Sequence, residues 1–152
     1  EEKWYKVDWY RGKVIEGDGK KVVWDFGFRS RKQNIHRRPD IVIEDKKKKE
    51  LYIVDMACPM ESNIVAKTNK KLRNHYQLAF ELREKRPDFK VYIVPLVIGC
   101  LGGGVNSFFK YAKMLISDEN MLKLITQEMV KTIVFHSETI IRKVISKLIA
   151  AV

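Results

Sequence analysis

The sequence predicts a mixed α/β domain, and three observations carry that prediction. Two short runs rich in β-branched residues, Ile41-Val42-Ile43 and Leu51-Tyr52-Ile53-Val54, flank a charged stretch as the arms of a hairpin would. From about Asn63 to Lys85 apolar positions recur at three- and four-residue steps, the period of a helix. Val91 to Ile98 is then a nearly continuous apolar run, the signature of a strand covered on both faces. Strands and helices alternating in this order build one layered core.

The elements follow in chain order. Residues 1–20 form an extension of aromatics (Trp4, Tyr5, Trp9, Tyr10) among Lys and Arg, and Gly17-Asp18-Gly19 is a turn signal. The domain proper is taken as 21–152. Lys21 to Phe28 reads as its first strand, through Val22, Val23, Trp24, Phe26 and Phe28. Arg29 to Arg38 is a basic loop, and Glu44 to Glu50, with four lysines in a row, is a hairpin tip. Ile64, Thr68, Leu72, His75, Ala79 and Leu82 mark the buried stripe of the long helix, which Pro87 ends. Gly102-Gly103-Gly104 is a turn, since the Lys and Ser/Thr of a phosphate loop are missing. Two amphipathic helices complete the chain, near Val105–Ile116 and over Met121–Ile149 with a break at Ser137. Ile140, Ile141, Val144, Ile145 and Leu148 of the last helix are assigned to the core, with a dimer face as the other use of such a stripe.

Composition narrows the function. The chain has 152 residues, 45% of them hydrophobic, enough for one domain with a core. It carries 30 Lys+Arg against 19 Asp+Glu, a net charge of +11, which favours a polyanionic partner such as nucleic acid. No apolar run reaches the roughly 18 residues of a membrane span, and no basic amphipathic helix with bulky aromatic anchors suggests a membrane surface. The opening Glu1-Glu2-Lys3-Trp4 lacks an apolar stretch and a starting Met, so the chain reads as cut from something longer. Cys58 and Cys100 form no zinc-type pair and are expected to be reduced and to pack. His36, His75 and His136 share no metal spacing and are assigned as ligands of nothing.

The chemistry-bearing pair is Asp40, in Arg38-Pro39-Asp40 at the start of one strand, and Asp55, at the end of the next. If these strands form a hairpin, the two carboxylates meet at one end of the sheet, where two hard oxygen anions suit Mg²⁺. Pro-Asp is also a common turn starter, and Asp often caps a strand end. Context favours the site: an acid inside Ile-Val-Asp-Met-Ala is costly to bury unless paired or metal-bound. Lys67 and Lys71, four residues apart, share one face of the following helix. They are either partners of the site or, like the adjacent Lys70 and Arg73, solvated surface.

The stretch Val23-Trp24-Asp25-Phe26, then Arg38-Pro39-Asp40-Ile41-Val42-Ile43, then Ile53-Val54-Asp55-Met56-Ala57-Cys58-Pro59, and downstream Val94-Pro95-Leu96-Val97-Ile98-Gly99-Cys100-Leu101-Gly102, resembles the restriction-like endonuclease domain of early-branching non-LTR retrotransposons. The resemblance runs from about Lys21 to the end of the chain. It implies a PD-(D/E)xK core, a central mixed sheet flanked by helices, related to Holliday-junction resolvases and type II restriction enzymes. It also implies a Mg²⁺-dependent endonuclease, with Mn²⁺ as a substitute, that nicks target DNA to leave a 3′ hydroxyl primer for reverse transcription. In that pattern Asp40, Asp55 and the backbone carbonyl of Met56 hold the metal, with Asp25 as a further ligand or a solvent-facing strand residue. The pattern's lysine belongs two residues after the second acid, where this chain has Ala57. The family's following helix supplies it instead, and Lys67 and Lys71 are the matching positions. Tyr76 lies one register off the family's aromatic. The implied partners are a DNA duplex, element RNA and a reverse transcriptase domain of the same polyprotein, in the nucleus.

Arg29, Arg31, Lys32, Arg37 and Arg38 lead into Asp40 and would grip backbone phosphates. Ala57 leaves a second function open, a non-catalytic nucleic-acid-binding module on the same fold. A third is a structure-selective, resolvase-like nuclease acting as a homodimer.

Overall fold

The computed structural model describes residues 13–24 and 38–151. Its fold is α/β, a five-stranded mixed sheet with helices. The strands are β1 (Lys13–Gly17), β2 (Lys20–Trp24), β3 (Ile41–Asp45), β4 (Glu50–Ala57) and β5 (Lys90–Val97), and they lie side by side in that order. Strands β1 to β4 form an antiparallel meander. Strand β1 lies within the segment read above as an extension and pairs along its length with β2.

Each turn has a local cause. Asp18 and Gly19 take positive φ between β1 and β2. Between β3 and β4, Asp45 Oδ1 accepts the backbone N–H groups of Lys47 (3.0 Å) and Lys48 (2.9 Å), and Lys49 supplies the left-handed residue that turns the chain back. The hairpin tip is therefore where the charged run predicts it. Strand β5 joins β4 in parallel: Lys90 N–H reaches the Lys49 carbonyl (2.9 Å), and farther along Ile98 N–H reaches that of Ala57 (3.2 Å). Both contacts advance together along the two strands, which only a parallel pair allows. The crossover is α1 (Ile64–Lys85), entered through a 3₁₀ turn at Glu61–Asn63.

The described residues fall into two compact units. The first ends at Met56 and resumes over Thr68–Pro95. Its core joins Val23, Val42, Leu51 and Ile53 of the sheet to Leu78, Ala79 and Leu82 of α1, with Phe89 and Val91. Val23, Val42 and Ile53 are direct cross-strand partners, so one face of the sheet carries this core.

The second unit takes Ala57–Lys67 and continues from Leu96. It contains α2 (Val105–Ala112) and α3 (Glu119–Ala150), whose cluster is Ile98, Phe108, Ala112 and Leu122. The glycine turn before α2 wraps the Glu61 side chain, which accepts the Leu101 N–H at 2.7 Å. A Cβ at Gly99 or Gly103 would meet the end of that side chain, so the two glycines leave room for the carboxylate where it now lies. Asp118 caps α3 by accepting from Asn120 (2.9 Å) and Met121 (3.1 Å).

Two expectations for α3 are corrected. The helix runs unbroken through Ser137, whose hydroxyl bonds the Ile133 carbonyl at 2.9 Å and is satisfied within the helix. Ile140, Ile141, Val144, Ile145 and Leu148 are exposed and form no part of a core. Helical periodicity reports that a helix is two-sided, and says nothing about whether its apolar side has a partner. Among the described residues no helix is long and apolar enough to cross a membrane.

Candidate metal and phosphate site at the end of the hairpin

The register of the hairpin assembles the site. Ile41 pairs with Val54, so extending the ladder by one residue sets Asp40 directly opposite Asp55, and by two sets Pro39 opposite Met56. Proline has no N–H to give, so the backbone ladder ends there. The Asp40 side chain takes over, its Oδ2 accepting the Met56 N–H at 2.6 Å. The Pro-Asp dipeptide thus does two things: it fixes where β3 begins, and it places a carboxylate across from Asp55. Side-chain alternation puts both acids on the same face as Val42 and Ile53, the face that α1 covers.

From α1, the stripe that buries Leu78 and Leu82 continues towards the helix start as His75 and Lys71, at steps of three and four residues. Lys71 Nζ lies 2.8 Å from Asp55 Oδ1, and His75 Nε2 lies 2.8 Å from Asp55 Oδ2. Asp55 is 3% exposed, His75 0%, and the Lys71 side chain 18%. The two Asp55 oxygens therefore have separate partners one helical turn apart. An ionised carboxylate can only accept, so His75 Nε2 carries the hydrogen in this contact.

The two acids also share a hydrogen bond, and their titrations are pushed apart. Burial works against the charge on Asp55, but hydrogen bonds with His75, Asp40 and Lys71 outweigh it and hold the carboxyl well below the usual carboxylate range. Partial burial and the bond to Asp55 push Asp40 up, against the pull of the Met56 N–H and Lys71. A pair of carboxylates divided in this way is a signature of functional sites.

The other expected site residues are placed as follows. Lys67 belongs to the second unit, is half-buried and forms no ion pair with a described residue. Tyr76, beside His75 in sequence, is exposed, as is Arg38. Asp25, Arg29, Arg31, Lys32 and Arg37 lie outside the described residues. Cys58, expected to pack, is exposed, and Cys100 is half-buried. Partial burial pushes the Cys58 thiol up, and nearby Cys100 adds to the shift.

His75 is the site residue that sequence reasoning missed. The signal was its place on the apolar stripe, four residues after Lys71, where an imidazole needs a buried partner.

Among the described residues no group of three or more His, Cys, Asp and Glu side chains is arranged to hold a metal ion. Two opposed carboxylates do suit Mg²⁺, which keeps several waters and takes only one or two acidic ligands. The set suits Zn²⁺ poorly, since no cluster of His and Cys accompanies the acids. Against protein-family models, curated proteins and solved structures, the chain gives no match.

Proposed function

We propose that this chain is a Mg²⁺-dependent DNA endonuclease with a PD-(D/E)xK core, serving a non-LTR retrotransposon by nicking target DNA to leave a 3′ hydroxyl for reverse transcription. The observation that carries the reading is the opposed pair Asp40 and Asp55, with Lys71 Nζ 2.8 Å from Asp55. The net charge of +11 supports a polyanionic substrate.

Asp40 and Asp55 would hold the ion, with the Met56 backbone beside them. When bound, it supplies Lewis-acid polarisation of a phosphate and lowers the pKa of a coordinated water. Lys71 brings a positive charge to the same corner, where it can stabilise negative charge growing on a phosphate oxygen. It thereby fills the role that Ala57 leaves vacant in the common pattern. His75 touches no substrate position and acts through Asp55, fixing the carboxylate's rotamer as outer-shell partners of metal ligands do. Asp40 is less enclosed and opens the pair to solvent.

The test is nicking of supercoiled plasmid with Mg²⁺ or Mn²⁺. Asp40→Asn is the preferred knockout, because it removes a metal-binding charge while keeping an acceptor for the Met56 N–H. Nicking should fall at least ~10³-fold with DNA affinity unchanged, and Lys71→Ala should cost about 10²–10³-fold. One observation favours a second reading, a non-catalytic nucleic-acid-binding module: Lys71 and His75 already engage both oxygens of Asp55, so the corner is a closed network without any ion. DNA binding with steep salt dependence, and no nicking by the parent with any divalent metal, would establish that reading instead.

A further inference from the structure

The second unit holds a cluster of sulfur atoms that plays no part in the proposed cleavage chemistry. Cys58-Pro59-Met60 is an extended tripeptide: Met60 has φ −59° and ψ 149°, and the residue before a proline is confined to extended conformations. Cys58 lies two residues before Met60 and close enough to Cys100 for the one thiol to act on the charge of the other. The turn that follows β5 brings the third sulfur. Cys100 N–H bonds the Pro59 carbonyl at 2.8 Å, and Ile98 N–H bonds that of Ala57 at 3.2 Å. This parallel register puts Cys100 beside Met60 and Ile98 beside Cys58. Accordingly Cys100 Sγ lies 3.5 Å from Met60 Sδ. The positions are open to entry, with Cys58 and Met60 exposed and Cys100 half-buried.

We propose that Cys58, Met60 and Cys100 form a binding site for a soft monovalent cation, Cu(I), held by two thiolates and one thioether. Metal–sulfur bonds of about 2.3 Å place two sulfurs on one metal roughly 4 Å apart, close to the 3.5 Å separation of Cys100 and Met60. Thiolate with thioether is the ligand mixture that selects Cu(I) over harder ions. Zn²⁺ is disfavoured, because it takes four nitrogen, oxygen or thiolate ligands and the third donor here is a thioether. Binding moves no electrons: each thiol releases its proton to solvent as its metal–sulfur bond forms. The site does not depend on the nuclease reading.

The experiment is an anaerobic Cu(I) titration of the reduced, intact chain against bicinchoninate as a coloured competitor, with thermal melts of every variant. The parent should withdraw one equivalent of Cu(I) from the competitor, with X-ray absorption showing sulfur-only coordination. Cys58→Ser and Cys100→Ser should each weaken binding by at least about 100-fold, at or beyond the upper end of what outer-shell changes cost. Met60→Leu keeps the volume, removes the sulfur and should cost about tenfold. Unchanged melts separate lost binding from lost folding. Affinity unchanged in either serine variant, or in Met60→Leu, overturns the three-sulfur site. So does a parent that leaves all the Cu(I) with the competitor.

Discussion

The Asp55 corner and the outer half of α3 reverse each other's burial. In the first, an imidazole and an ammonium sit in the stripe that a helix would ordinarily fill with Leu and Ile, and both face a buried carboxylate on β4. In the second, Ile and Leu lie open while the helix carries them past its last buried residue. The polar corner survives burial because every charge has a partner at hydrogen-bonding distance, so desolvation is offset locally. The exposed half of α3 keeps its backbone hydrogen bonds within the helix and continues from a first half anchored through Leu122, Met129, Val130 and Ile133. Burial of a residue type is therefore a statement about its partners before it is one about its hydropathy.

Breaking the polar corner should give the largest effect. Asp55→Ala leaves Lys71 and His75 without their shared acceptor and should cost about 3–4 kcal/mol, near the lower end of a broken buried pair because Lys71 can swing towards water. Urea denaturation reads it, and the midpoint should fall without a change in slope. On the apolar side, Leu122→Ala, at a position 0% exposed, should cost about 2–3 kcal/mol by the same measurement.

Smaller effects sharpen the contrast. Asp40→Asn should raise Tm by about 1–2 °C at pH 7, a gain of about 0.5 kcal/mol once solvent screening is allowed for. The sign follows from the raised pKa of Asp40 in the fold: its charge is disfavoured there, so it costs stability above that pKa. The cost, and with it the mutant's advantage, fades as pH falls towards the unfolded value near 3.9. Asp55 runs the other way, its stabilisation complete above about pH 4 and lost as pH falls further. Thermal melts extended from pH 8 down to about pH 2 separate the two. Smallest of all, Leu148→Ala, at a position 63% exposed, should shift stability by no more than about 0.5 kcal/mol despite deleting the same atoms as Leu122→Ala.

Much of this was legible in sequence. Runs of β-branched residues located β3 and β4, a three-to-four-residue period located α1 and a continuous apolar run located β5, and the Pro39-Asp40 pair with Asp55 followed from the hairpin the first two imply. Three things were not legible, each for a physical reason. Lys67 and Lys71 share a helix face, and only the position of α1 against the end of β4 brings one of them to Asp55. His75 on an apolar stripe looks like core until an acceptor is known to face it. The exposure of Ile140 and its neighbours, and of Cys58, depends on what is absent from around them, which local pattern does not encode.

The Met56 amide has a consequence for observation in solution. Its N–H is held by a side chain, Asp40, where the strand partner has run out. Backbone amides earlier in β4 exchange their hydrogens only when the ladder opens, but this proton is guarded by a carboxylate whose grip changes with its charge. Hydrogen–deuterium exchange at this one residue therefore gauges the state of the acidic pair directly, and anything that draws Asp40 away, whether a proton, an ion or a substitution, should show there first.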